Sequence, residues 1–223
     1  MLVERSSETT RSLLSSNPVR SFQETTRTRH MKTENAYSTK ELSKTTWPDF
    51  EALFAKHNGV WGGCWCLFYH TKGEFLIKGH GPENKKAKKA LVKKRRTHGI
   101  IIYSGATPVG WVQYGPKPEL PRLDASKTYQ SLSLGNGGKK LWRITCFFVD
   151  RNNRRKGVAG FGLNAALASI KTKGGGIVEA YPSTKPNKGA SRMWSGTVSM
   201  FEDAGFDLSS QLGKSSVVMR KIV

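Results

Sequence analysis

The chain reads as an α/β protein built on one mixed sheet. Trp47, Phe50, Leu53 and Phe54 recur at helical spacing, and so do Ala159, Leu163, Ala166, Leu167 and Ile170. Residues 100–103, 109–114 and 141–149 are apolar runs of strand length, and they alternate with the helical stretches. Two of those runs are joined by a short turn, so the sheet cannot be purely parallel.

Residues 1–40 carry no periodic apolar pattern and are rich in Ser, Thr and Arg, which predicts a disordered or extended tail before a domain of residues 41–223. The composition is faintly that of a mitochondrial transit segment, but Glu4, Glu8 and Glu24 count against one; Met31 is an alternative start. The first helix opens at Thr46-Trp47-Pro48-Asp49, where Thr46 can cap, Pro48 suits the first turn and Asp49 suits the dipole. Asn58-Gly59 stops it. Residues 60–69, dense in aromatic side chains and cysteine, read as a buried strand after the Gly62-Gly63 bend. Residues 82–98 read as a second helix with Ala87, Ala90, Leu91 and Val92 among lysines, and Gly99 as its stop.

Residues 100–103 and 109–114 form a hairpin across Ser104-Gly105-Ala106-Thr107-Pro108. Residues 116–140 are a long irregular segment, of a length that is usually functional or disordered. Residues 141–149 are apolar on both faces, as expected of a central strand. The next helix ends near Lys173-Gly174, and residues 176–181 form another strand. Trp194, Val198 and Phe201 mark an amphipathic helix ending at Ala204-Gly205-Phe206, and residues 217–223 close the sheet.

The net charge is +21, which predicts attraction to polyanions, anionic surfaces or acidic ligands. Lys85, Lys86, Lys88, Lys89, Lys93, Lys94, Arg95 and Arg96 follow one another without an intervening acid. The three cysteines, Cys64, Cys66 and Cys146, form no Cys-x-x-Cys unit, so a reducing, cytoplasmic compartment is expected rather than a disulfide framework. Cys64, Cys66 and His70 lack zinc-site spacing and a fourth ligand; the cysteines read as buried apolar groups, and no metal is expected. His70, His80 and His98 read as exposed polar residues. No run approaches the length of a membrane span, so no membrane partner is expected.

The most informative segment runs from Cys146-Phe147-Phe148-Val149-Asp150 through Arg154-Arg155-Lys156-Gly157-Val158-Ala159-Gly160 into an apolar helix. Backbone N–H groups at the helix start, its dipole and three cations make a site for a diphosphate, and Gly157, Ala159 and Gly160 allow close approach. The alternative is a solvated basic turn. This Arg-x-x-Gly-x-Ala pattern resembles the acetyl-CoA loop of the GNAT N-acetyltransferase superfamily. The resemblance covers residues 47–223: Val109-Gly110-Trp111 looks like the superfamily's xVGxx strand, and Phe201-Glu202-Asp203-Ala204-Gly205-Phe206 like its later helix ending in Gly-Phe. Gly62-Gly63-Cys64-Trp65-Cys66, Tyr114-Gly115-Pro116 with Pro121-Arg122-Leu123, and Cys146-Phe147-Phe148-Val149 suggest a poorly characterised branch.

The resemblance implies a mostly antiparallel central sheet with helices on both faces, acetyl-CoA as cosubstrate, and direct attack by an amine. It implies that backbone N–H groups of Phe147, Phe148 and Val149 face the thioester carbonyl, and that Arg154 to Gly160 hold the pyrophosphate. The superfamily's tyrosine is replaced here by Phe201, which has no proton to give. Glu179 and Tyr181, two apart on one strand, share a side and are the candidate proton-handling pair; the competing reading pairs Glu179 with a lysine and packs Tyr181. Cys146 as nucleophile is disfavoured, because no histidine accompanies it. The expected acceptor is a small-molecule or protein amine; Trp65, Tyr69, Trp111, Tyr114 and the loop over 116–140 could wall its pocket, the competing reading being that these aromatics pack in the core, and the protein is expected to be a monomer or homodimer. Two alternatives stand: a basic nucleic-acid or ribosome-binding protein, and a coenzyme A-binding fold without turnover.

Overall fold

The computed structural model describes residues 37–73, 75, 80–184 and 193–223. Seven strands form one sheet: β1 (Ser38–Glu41), β2 (His98–Ser104), β3 (Thr107–Pro116), β4 (Leu141–Val149), β5 (Ile177–Ala180), β6 (Asp207–Leu212) and β7 (Ser216–Ile222). Their order is β1-β2-β3-β4-β5-β7-β6. Every pairing is antiparallel except β4 with β5, which the chain reaches by a helical crossover. The helices are α1 (Trp47–Ala55), α2 (Gly81–Lys93), α3 (Lys127–Gln130), α4 (Val158–Thr172) and α5 (Val198–Asp203). The expected mixed, mostly antiparallel α/β sheet is therefore present. None of the described helices is long and apolar enough to cross a membrane.

Two apolar layers cover the sheet. On one face α4 presents Val158, Leu163, Ala166 and Ile170 to Ile102, Val112, Ile144 and Phe147. On the other, α1 presents Phe50 and Phe54 to Ile101, Trp111 and Cys146. Glycine sets how closely α4 lies on the hairpin: a Cβ on Gly110 would come 2.9 Å from Val158 Cγ1. One on Gly162 would come 2.7 Å from both Ile102 Cδ1 and Val112 Cγ2. The Val-Gly of β3 thus has a packing reason.

Several expectations need correction. The expected tail over 1–40 overlaps β1, whose Ser38 to Glu41 pair with Tyr103 to Ile100; residues 1–36 lie outside the described residues. Glu41 is drawn to α4, where its carboxylate accepts from the Ser169 hydroxyl and from the Lys173 ammonium at 2.6 Å. Residues 60–69 are mostly buried, Trp61 and Gly62 excepted, but form no strand, because Val60, Trp61, Trp65 and Cys66 have φ of 57°, 53°, 49° and 51°, which a regular sheet ladder does not tolerate. Helix α2 ends at Lys93; Arg95 turns left-handed at φ 55° and Gly99 already belongs to β2. Ala87 and Ala90 face outward, whereas Lys88 is fully buried.

The segment 116–140 is organised by 3-10 turns at Lys117–Glu119 and Pro121–Ala125 and by α3, with Leu120, Leu123 and Tyr129 buried. Trp194 precedes α5 instead of lying in it. The polar edge strand β6 carried no apolar signal.

Candidate active site

The crossover from β4 to α4 is fixed at its first residue. Asp150 is 3% exposed; its N–H reaches Val109 O at 2.8 Å and its carboxylate takes the Asn152 N–H at 3.0 Å. Lys56 Nζ at 2.6 Å and His57 Nε2 at 3.1 Å tie the end of α1 to the same carboxylate. Burial alone would raise its pKa, but these donors outweigh burial and hold it at about 2. Arg154 Nε then donates to Val149 O at 3.1 Å. Arg155 at φ 60° and Gly157 at φ 78° turn the chain into α4.

Arg154, Arg155, Lys156 and Gly157 are exposed, and Ala159 and Gly160 half-buried, at the start of a fifteen-residue helix. Val158 turns its side chain into the core and offers only its backbone. The first N–H groups of α4 have no partner within the helix by construction. A Cβ placed on Gly157 or Gly160 meets nothing within 4 Å, so open ground lies before those donors. The expected loop residues 154–160 are thus brought together in a cationic cradle whose donors and space fit a pyrophosphate.

Next to it the sheet opens. Residues Leu141 to Ile144 of β4 pair with Ile177 to Ala180, and β5 then ends. Pro182 has no N–H to continue a ladder, and the chain follows β7 instead: Val217 N–H bonds Pro182 O at 3.1 Å and Thr184 N–H bonds Ser215 O at 2.9 Å. Residues 145–149 are left without a β5 partner. Donors alternate sides along a strand. Asp150 N–H reaches β3, whereas Phe147 N–H points into the gap, where it meets Trp194 O at 2.7 Å. Val149 N–H faces the gap as well. Phe148 N–H faces β3, which corrects its expected role as a donor to a bound carbonyl.

On the α1 face a cavity of about 180 Å³ adjoins the gap. Trp61, Phe68, Tyr69 and Trp194 form its walls; Gln113 and three thiols complete the lining. Cys66 and Cys146 are in contact, and Trp111 Nε1 donates to Cys66 Sγ at 3.2 Å. Burial opposes ionisation of Cys66, yet the Cys146 thiol, the Lys88 ammonium and the Trp111 N–H bring its pKa down. The neighbouring Cys66 sulfur, together with burial, pushes Cys146 well above the ordinary thiol range. Cys146 is accordingly inert as a nucleophile at neutral pH. Among the described residues no group of three His, Cys, Asp or Glu side chains is arranged to hold a metal.

Behind the cavity lies a polar cluster that the sequence did not announce. His70 is not an exposed residue: Nδ1 is 2.7 Å from Glu119 O, while Nε2 is 2.8 Å from Gln113 Nε2 and 3.1 Å from both Lys88 Nζ and Thr97 Oγ1. Burial, with Lys88 beside it, drives its pKa well below the ordinary value. Lys88 also donates to Cys66 O at 3.2 Å and Thr97 Oγ1 at 2.8 Å, and burial lowers its pKa to about 8. His98 Nδ1 lies 2.8 Å from Glu119 Oε2.

The acetyltransferase (GNAT) family model matches residues 65–196, more than half of the chain. The chain belongs to this family. Similar solved structures include a GNAT-family acetyltransferase from Streptococcus pneumoniae, at 13% identity over 84% of this chain and 99% of that one, with a TM-score of 0.50. An acetyltransferase from Salmonella typhimurium, solved with acetyl-CoA, is 11% identical over 84% of this chain and 94% of that one, also at 0.50. At such identities the likeness is one of fold. A comparison with curated proteins finds no match.

As a GNAT protein the chain departs from expectation in its proton-handling groups. Glu179 and Tyr181 do come together, but inside a closed network. Glu179 Oε2 accepts from the Tyr129 and Tyr181 hydroxyls, each at 2.6 Å, and Oε1 accepts from Arg220 Nε at 2.9 Å and from Nη2. Arg143 Nε donates to the Tyr181 oxygen at 3.1 Å, and Arg143 grips Asp124 with bonds of 2.9 and 2.8 Å. Burial pushes Tyr181 well above the ordinary phenol range. Glu179 has its acceptor positions filled, and its cationic partner is Arg220 rather than a lysine. The pair braces β5 against β4 and β7, and neither member is placed to move a proton. Phe201 is fully buried against Phe147 and Phe206, with ring centroids 5.9 and 5.1 Å away.

Proposed function

We propose that this protein is an acetyl-CoA-dependent N-acetyltransferase that moves the acetyl group directly to an amine. The observation that carries the reading is the juxtaposition of the open cationic cradle at α4 with the unpaired, gap-facing edge of β4. Acetyl-CoA brings an acetyl group activated as a thioester. The first N–H groups of α4, with Arg154, Arg155 and Lys156, would hold its pyrophosphate. Val149 N–H, and Phe147 N–H once Trp194 O yields it, would receive the carbonyl oxygen as charge builds there. Each such donor is worth about 3 kcal/mol toward the transition state. The amine nitrogen forms the new C–N bond, the C–S bond breaks, and the thiolate departs unaided, as a thiol of this acidity can. The proton released from nitrogen passes to water.

Acetyl-CoA at a hundredfold excess over its Kd should stabilise the folded chain by about 2.7 kcal/mol, a rise of roughly 5–10 °C in Tm for a domain of this size. No rise at saturating ligand overturns the reading. Gly160→Glu sets an anion in the cradle without the backbone strain that Gly157, at φ 78°, would add. It should abolish the rise. Release of coenzyme A thiol in the presence of an amine separates catalysis from binding without turnover. The exposed cations of α2 support weak, salt-sensitive attraction to polyanions, which needs no dedicated site.

A further inference from the structure

We infer that the cavity on the α1 face selects a compact apolar amine, one aromatic ring or its aliphatic equivalent bearing a single primary amine, and that Gln113 Oε1 receives an N–H of that amine. The inference rests on the acetyl-transfer reading, since it names the acceptor for the same reaction.

His70 fixes which way the Gln113 amide faces. Glu119 O can only accept, so His70 Nδ1 carries the ring proton and Nε2 is an acceptor. The Gln113 amide must therefore turn its nitrogen toward Nε2, at 2.8 Å, and its oxygen the other way. That oxygen is buried without a hydrogen-bond partner on a residue that is 0% exposed and lines the cavity. A buried acceptor left unmet is costly, and a donor entering the cavity that Gln113 lines would relieve that cost once the lining parts to let it reach the oxygen.

Position and shape agree. Gln113 stands opposite Cys146 in the sheet, one residue before Phe147 with its gap-facing N–H, so an amine held there lies beside the open edge of β4. A volume of about 180 Å³ compares with the ~150 Å³ apolar cavity that accommodates benzene, leaving room for a ring and a short arm. No Asp or Glu is among the described lining residues. A polycationic acceptor would find no carboxylate there, in a chain of net charge +21. An apolar cavity also lowers the pKa of a single amine, and Gln113 Oε1 can hold the free base without protonating it. That supplies a neutral nucleophile where Glu179 and Tyr181 cannot.

The test measures thiol release from acetyl-CoA with 2-phenylethylamine and with the polycationic aminoglycoside tobramycin. We expect kcat/KM at least tenfold higher for 2-phenylethylamine. Gln113→Met should raise its KM about tenfold while acetyl-CoA still raises Tm as in the wild type. Gln113→Glu, which retains an acceptor but favours the ammonium, should move the pH profile of kcat/KM to higher pH. Preference for tobramycin, or an unchanged KM in Gln113→Met and an unmoved profile in Gln113→Glu, overturns the inference while leaving acetyl transfer intact. Failure of the wild type to bind acetyl-CoA removes both readings.

Discussion

Two glycines of α4, one turn-half apart, should respond oppositely to alanine. Either replacement removes backbone freedom from the unfolded chain and improves helix propensity, a gain of about 0.5–1 kcal/mol. At Gly160 the new methyl meets nothing within 4 Å, so Gly160→Ala should keep the whole gain and raise Tm by about 1–4 °C. At Gly162 the methyl would lie 2.7 Å from Ile102 Cδ1 and Val112 Cγ2 and 3.1 Å from Ile102 Cγ1. Ile102 and Val112 are fully buried and cannot swing away, so overpacking of about 1–3 kcal/mol exceeds the gain. Gly162→Ala should therefore be destabilised by up to about 2 kcal/mol. Thermal melts with and without acetyl-CoA read both effects, because the open ground at Gly160 is also the ground assigned to the pyrophosphate. Gly160→Ala should gain stability and lose roughly tenfold in acetyl-CoA affinity. Equal Tm values for the two variants would refute the close-packing argument, and wild-type affinity in Gly160→Ala would refute the cradle.

Lys88 offers a pH test. Its folded pKa of about 8 lies below the ordinary 10.5, so the cost of burying the cation is present in full below pH 8 and fades as pH rises toward 10.5. Urea unfolding at pH 7 and pH 9.5 should show wild type gaining about 2 kcal/mol relative to Lys88→Met between the two; a gap that does not move with pH would mean that Lys88 is solvated. Glu179→Gln leaves the Arg220 guanidinium without its counter-charge and should lower stability by about 3 kcal/mol. Its kcat/KM should keep the wild-type pH profile. A lost acidic limb would restore Glu179 as a base.

The elements legible in the sequence are those whose apolar periodicity and packing agree. The β2–β3 hairpin, β4 and α4 were visible because Ile102, Val112, Ile144 and Leu163 meet in one layer. Residues 60–69 misled because aromatic density mimics a strand, whereas Val60 and Trp61 adopt left-handed φ that local sequence does not reveal. β1 and β6 are edge strands of mostly exposed residues, and the two leucines of β6, Leu208 and Leu212, set no alternating pattern that distinguishes it from loop. Lys88 is hidden among like charges; the carbonyl of Cys66, the hydroxyl of Thr97, the ring of His70 and the face of Trp111 make its burial tolerable. Of the site, the cradle at 154–160 was readable as a local motif. Gln113 was not, although its alternation with Trp111 along β3 placed it on the α1 face.

The open end of β4 has a further meaning for solubility. A strand whose partner stops short is an edge located inside the sheet, with donors and acceptors that could template pairing with another chain. Trp194 O, by taking the Phe147 N–H, removes one of those donors from display. A ligand that took the Phe147 N–H would displace an internal guard, and a chain that loses Trp194 from its place exposes a sticky seam rather than an empty slot.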